Sequence, residues 1–225
     1  GAHRTLHFPL RRQGQMCIRD SLWGGSETGL WPNKKKHQAK QFINFGNWTL
    51  FGKTLQRIKN SIFDFPIIST NLKYLKEVKK YLKKYKIYKY KVVLEPAKMN
   101  TGPAMLSASL IKDIPNSQPL LFLSADHLLE KEKIFNKEIK KNQIHLSNKN
   151  IFIFGIKPNI PSSEYGYFIT KKNNKINKVI KFIEKPNILK AKKLIKKKAY
   201  WNSGMFFLRK DSIINNFKKY QSKTY

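Results

Sequence analysis

Four groups of residues have types and spacings suited to chemistry on a phosphorylated, polyhydroxylated substrate. The first is Gly24-Gly25-Ser26-Glu27-Thr28-Gly29-Leu30-Trp31-Pro32. Glycines after a strand let backbone N–H groups close around phosphate oxygens; the same residues also make an ordinary loop. Lys40 follows in Lys40-Gln41-Phe42, where an ammonium could neutralise a polyphosphate or simply face solvent. The second group is Leu94-Glu95-Pro96, followed by Asn100-Thr101-Gly102-Pro103-Ala104. A carboxylate accepts from N–H groups and an amide both donates and accepts, so Glu95 and Asn100 could read the edge of a purine. Asn100 or Thr101 would equally cap a helix. The third is Ser124-Ala125-Asp126-His127. An aspartate at the tip of a buried strand is a hard oxygen ligand for Mg²⁺ on a nucleotide, or a structural strand end. His127 reads as a packing or hydrogen-bonding residue rather than a base. The fourth combines Tyr165-Gly166-Tyr167, Glu184-Lys185-Pro186 and Trp201-Asn202-Ser203-Gly204-Met205. Glu184 and Asn202 suit sugar hydroxyls and Lys185 a sugar phosphate; taken singly, each is also at home in a loop or core.

Such groups need elements that end in the right places. Leu50, Phe51, Thr54, Leu55 and Ile58 follow helical spacing, with Asn47 or Thr49 as the cap. Residues 66–69 are a short apolar run fit for a buried strand. Leu72, Leu75, Val78 and Leu82 recur every three or four residues, which predicts a lysine-rich helix over 73–91. Strands are expected at 92–95, 120–124 and 151–156, with helices at 101–112 and 131–146. This alternation predicts parallel βαβ units whose strands are buried and continuously apolar. Beyond residue 160 the pattern changes to shorter strands at 167–170, 179–184 and 205–208, with a lysine-rich helix at 190–198. No internal repeat is present. Ligands of open α/β sheets sit outside the carboxyl ends of the strands, which points to the residues just after Trp23, Leu94 and Ser124.

Composition narrows the classes. The chain has 225 residues, 40% hydrophobic and 13% aromatic, enough for a buried core and too apolar for a disordered chain. Its single cysteine excludes a disulfide framework and a Cys-based zinc site. No apolar run reaches the roughly 18 residues of a membrane-spanning helix. The first residues lack the apolar core of a signal peptide, so the expected location is cytoplasmic. The net charge of +33 suits a polyanion. Yet of 46 basic residues only Arg4, Arg11, Arg12, Arg19, Arg57 and Arg209 are arginine, leaving 40 lysines. A dedicated nucleic-acid binder favours arginine for its bidentate contacts. Abundant Lys, Asn and Ile fit A/T-rich codons and a solvated surface, so nucleic acid is not the expected partner.

Residues 1–22 contain four of the six arginines, the cysteine and no lysine. Their run RRQGQMCIRDS is similar to a translated sequencing adapter. The expected organisation is a non-native segment at 1–22 and a folded domain over 23–225, incomplete at its C-terminal end. With Arg19-Asp20-Ser21 in it, the first segment is not expected to supply a proper central strand.

Taken in order, GGSxTxLWP, KQF, LEPxxxNTxPA, SADH, YGY, EKP and WNSGMF resemble the mannose-1-phosphate guanylyltransferases, over residues 23–225. The resemblance implies an α/β, Rossmann-like nucleotidyltransferase fold with a mostly parallel, mixed central sheet and helices on both faces. It implies that Gly24, Gly25, Ser26 and Thr28 surround the triphosphate and that Lys40 contacts phosphates. Glu95, Asn100 and Thr101 match positions near the nucleoside, and Asp126 matches the metal-binding aspartate. Gly166, Glu184 and Asn202 match the mannose site, and Lys185 the sugar phosphate. The implied reaction is attack of mannose 1-phosphate on the α-phosphorus of GTP with Mg²⁺, giving GDP-mannose and pyrophosphate. Oligomeric state stays open, a homo-oligomer among the options. Three features depart from the family. Its loop has glycine where this chain has Glu27, arginine where it has Gly29, and usually proline where it has Ala39. The family's second metal-binding aspartate would fall beyond Tyr225. Impaired activity is therefore expected. The other readings are another sugar-1-phosphate nucleotidylyltransferase, a catalytically dead homologue, or a basic nucleic-acid-binding module.

Overall fold

A computed structural model describes the backbone of residues 15–19, together with residues 39–59, 62–95, 101–173 and 176–224. Two units emerge, one of residues 1–151 with 207–225 and one of residues 152–206.

In the first unit, β1 (Gln15–Arg19), β2 (Pro66–Thr70), β3 (Lys91–Leu94) and β4 (Pro119–Ser124) form a parallel sheet in the order β3-β2-β1-β4. Cys17 stands opposite Ile67 on one side and Phe122 on the other, and Ile68 stands opposite Val92. The first segment thus does supply the central strand, contrary to the sequence expectation. The slot between two parallel strands presents unpaired donors and acceptors on both sides, and backbone pairing there is indifferent to a segment's origin. Sequence patterning is followed elsewhere: all five residues of β2 are buried, as are Leu120–Leu123 of β4.

Helix α1 (Leu50–Ile58) is capped by Thr49, whose Oγ1 accepts from Gly52 N–H at 3.0 Å. It buries Phe51, Leu55 and Ile58. A 3-10 turn, Leu72–Tyr74, leads into α2 (Leu75–Lys84), which buries Val78 and Leu82 and turns its lysines to solvent. This helix stops short of residue 91. Lys86 has φ 54, Ile87 N–H donates to Leu82 O at 2.9 Å and Lys86 N–H to Lys83 O at 3.0 Å, which is a Schellman ending with lysine in the usual glycine position. Helix α3 (Thr101–Ser109) likewise ends before residue 112. Helix α4 (Glu132–Asn142) is extended only by the 3-10 turn Gln143–His145.

Strand β5 (Ile151–Ile156) is not another buried parallel strand: Ile151 and Ile156 are exposed, and it pairs with a late strand of the second unit. A short apolar run does not reveal its partner. In that unit β6 (Tyr167–Lys171) runs antiparallel to β7 (Lys178–Ile183), with Phe168 opposite Phe182. Helix α5 (Ile188–Lys196) follows, and β8 (Tyr200–Arg209) is antiparallel to β6, with Tyr167 opposite Trp201. Tyr167, Ala191, Leu194 and Ala199 form the buried cluster of this unit. The end of β8 returns to the first unit, where Lys210 N–H donates to Gln118 O at 2.9 Å, so β8 leaves the sheet where β4 enters it. Helix α6 (Lys210–Tyr220) packs on α3; a Cβ on Gly102 would stand 3.2 Å from Phe217 Cζ.

Candidate active site

In the first unit the chain runs from β1 outward to β2 and β3, then crosses to the far side of β1 to make β4. The strand order therefore reverses between β1 and β4, and such a switch point is where open α/β sheets bind ligands. Asp126 lies two residues beyond β4. Its side chain is partly exposed; Ser124 Oγ donates to its Oδ1 at 2.5 Å, and His127 Nε2 is 3.7 Å from the same oxygen. The loop expected to face it, with Gly24, Gly25, Ser26 and Thr28, lies outside the described residues, as does Asn100.

Glu95 follows β3 and is held by three consecutive residues, the last two of β2 and the one after it. Its N–H donates to Thr70 O at 2.9 Å. Ser69 Oγ donates to its Oε1, and Asn71 Nδ2 donates to its carbonyl at 3.2 Å. The carboxyl group is buried, and a buried polar group needs such partners. Thr101 opens α3 and is exposed. Lys40, half-buried, opens the 3-10 turn Lys40–Phe42. Phe42 anchors that turn, its ring 5.4 Å from that of Phe51 and 5.6 Å from that of Tyr81.

Sequence reasoning passed over Arg57, in the last turn of α1. Its side chain is 1% exposed. Nη2 donates to His127 O at 3.4 Å and Nε lies 3.6 Å from Glu132 Oε1. Burial holds this guanidinium below its ordinary pKa, and Glu132 pulls it back up.

In the second unit the structure brings Gly166, Glu184 and Asn202 together. Asn202 N–H donates to Gly166 O at 2.7 Å. A Cβ on Gly166 would stand 2.7 Å from Glu184 Oε2 and 2.9 Å from Phe182 Cζ, so the carboxylate comes this close only because residue 166 is glycine. Asn202 Oδ1 accepts from Gly204 N–H at 3.2 Å. Lys185 is exposed and has φ 38 although Pro186 follows it. That is a costly backbone for lysine, of a kind found at binding sites. The rings of Tyr165 and Trp201, 4.7 Å apart, adjoin this group in sequence.

The profile of the nucleotidyl transferase family matches residues 22–224. The chain belongs to this family. The chain is 31% identical over 209 residues to mannose-1-phosphate guanylyltransferase RfbM of Salmonella typhimurium, covering 90% of this chain and 44% of that protein. It is 32% identical over 211 residues to a mannose-1-phosphate guanylyltransferase of Escherichia coli, covering 89% and 46%. Its fold matches a crystal structure described as mannose-1-phosphate geranyltransferase of Thermus thermophilus, with TM-score 0.78, 21% identity, and coverage of 95% of this chain and 62% of that one. The chain spans less than half the length of the curated relatives it matches. Among the described residues no group of three or more His, Cys, Asp or Glu could hold a metal by itself. Mg²⁺ on a nucleotide takes one or two carboxylates and fills the rest of its shell with phosphate oxygens and water, so the partly exposed carboxylate of Asp126 fits it.

Proposed function

We propose that this nucleotidyl transferase moves a guanylyl group from GTP to mannose 1-phosphate. A phosphate oxygen of mannose 1-phosphate attacks the α-phosphorus of GTP, the bond from that phosphorus to the bridging oxygen breaks, and pyrophosphate leaves with GDP-mannose as product. The observation that carries the reading is Asp126 at the switch point between β1 and β4. Asp126 would hold Mg²⁺, which supplies charge neutralisation on the phosphates when bound. Glu95, its carboxylate fixed by Ser69, accepts from the N–H edge of the base, with Asn100 and Thr101 beside the nucleoside. Lys40 and the N–H groups of Gly24, Gly25, Ser26 and Thr28 take phosphate oxygens. Glu184 and Asn202, lined up by Gly166, take sugar hydroxyls, and Lys185 takes the sugar phosphate. No covalent protein intermediate is required; the protein contributes position and electrostatics. An enzyme drawing on GTP fits the cytoplasm, and no helix among the described residues is long and apolar enough to cross a membrane.

The test is pyrophosphate release by the chain carrying Glu27→Gly and Gly29→Arg. The expected result is release from GTP that requires both mannose 1-phosphate and Mg²⁺. Release from UTP, dTTP or CTP with another sugar 1-phosphate would move the enzyme to a different specificity. Absence of release from every such pair, in a folded protein, would overturn the reading.

A further inference from the structure

We propose that Arg57 is a positioning residue: it ties loop 125–131, which carries Asp126, to the end of α1 and so sets where that carboxylate stands toward a divalent cation. The inference rests on the reading of Asp126 as a cation ligand. Three independent observations lead to it.

The first is geometry. The guanidinium contacts both ends of the loop, His127 O at 3.4 Å beside Asp126 and Glu132 Oε1 at 3.6 Å at the first residue of α4. No other described cation bridges these two points. The second is how costly the arrangement is. Arg57 Nε is buried and has no hydrogen-bond partner. Desolvating a guanidinium offsets most of what one long hydrogen bond and an ion pair to a solvent-reached carboxylate return, so fold stability alone does not account for a charge here. The third is composition. From residue 23 onward this protein has forty lysines and two arginines. The other arginine, Arg209, engages Asp211 with two teeth, Nε to Oδ1 at 3.1 Å and Nη2 to Oδ2. Arg57 also engages two acceptors from one side chain, His127 O by a hydrogen bond from Nη2 and Glu132 Oε1 by an ion pair at Nε, from a rigid planar fork whose geometry a lysine ammonium does not copy.

The experiment compares Arg57→Lys, Arg57→Met and Glu132→Gln with the parent chain, and runs Asp126→Asn beside them. Two readouts are taken without turnover: amide hydrogen exchange of residues 125–131, and Mn²⁺ affinity in the presence of GTP, followed by the electron paramagnetic resonance of free Mn²⁺. The expected result is unchanged melting for Arg57→Met, exchange over 125–131 accelerated about tenfold or more in both Arg57 variants, and Mn²⁺ affinity weakened about tenfold, the size typical when a partner behind a ligand is removed. Glu132→Gln should give a smaller effect in the same direction. Unchanged exchange in both Arg57 variants overturns the anchor. Faster exchange with unchanged Mn²⁺ affinity, while Asp126→Asn loses it, overturns the positioning role and leaves a structural tie. If Asp126→Asn itself binds Mn²⁺ normally, the cation reading fails, and the exchange data alone decide the anchor. Loss of folding in Arg57→Met with normal exchange in Arg57→Lys also counts against the proposal, because it makes Arg57 part of the fold's support.

Discussion

Gly166 does its work by lacking a side chain. The carboxylate of Glu184 and the ring of Phe182 occupy the space a Cβ would need, at 2.7 and 2.9 Å. Phe182 is 47% exposed and Glu184 is exposed, so both can swing away at little cost to folding. Gly166→Ala is therefore expected to move Glu184 while costing under about 1 kcal/mol of stability. Mannose 1-phosphate titration should show weaker binding, on the order of tenfold, with thermal melting almost unchanged; equal affinity would remove Glu184 from the sugar site. Ser69 behaves oppositely, because Glu95 is buried. Ser69→Ala removes a donor from a buried carboxylate and should cost about 1.5–3 kcal/mol, seen in denaturant unfolding, together with weaker GTP binding. Glu95 and Asp126 were legible in the sequence because they follow apolar strands, and strand ends are where α/β ligands sit. Ser69 and Arg57 were not, since each acts through a residue 26 or 70 positions away. For Arg57 the available signal was its rarity among lysines.

The elements show where sequence periodicity stops informing. The apolar rhythm of α2 continues into lysines and tyrosines, which predicts a helix to residue 91; the backbone instead turns left-handed at Lys86. Helix α5 ends in the same way, with Lys198 at φ 56, Lys198 N–H on Ile195 O at 2.9 Å and Ala199 N–H on Leu194 O at 3.1 Å. Neither ending has the glycine that would announce it. The consequence is testable. A left-handed lysine costs roughly 1–2 kcal/mol, whereas glycine gives back about 0.4–1 kcal/mol through the freer unfolded chain. Relief of strain is the larger effect, so Lys86→Gly and Lys198→Gly should each raise stability by up to about 1 kcal/mol. At this chain length that is about 2–4 °C in melting temperature, measurable by circular dichroism; a fall would show that the lysine side chains contribute more than their backbones cost. The sheet was legible at β2 and β4, whose runs are apolar and buried. It was not at β1, where neighbours on both sides decide that a strand forms, nor at β5, whose apolar run left its partner undetermined.

At the scale of the whole molecule charge dominates, with 46 lysines and arginines against 13 acids. Most cations cannot find an anion. The described ion pairs are few, such as Lys89 with Asp64 at 3.1 Å and Lys80 with Glu77 at 3.8 Å. Acid removes them. Lys91 holds the Asp113 carboxyl below its ordinary pKa, chiefly by hydrogen bonding. A depressed folded value means that the contribution of this pair is present above the unfolded value, near 3.9, and is lost as pH falls through the folded one. Salt should do the opposite of acid. Two unit charges 20 Å apart repel by about 0.2 kcal/mol in water, and an excess of 33 positive charges makes several hundred such pairs. The Debye length is about 30 Å at 0.01 M and 10 Å at 0.1 M, so this repulsion acts across the molecule at low salt and fades as salt is added. Exposed ion pairs weaken too, but each contributes about 0–1 kcal/mol and the described ones are few. Repulsion relaxes when the chain expands, so screening favours the folded state. The melting temperature is therefore expected to rise by several degrees between 10 and 300 mM NaCl, with the steepest part below 100 mM. A melting temperature that falls over that range would mean that local pairing outweighs the excess charge, and that the lysines are placed for partners within the chain.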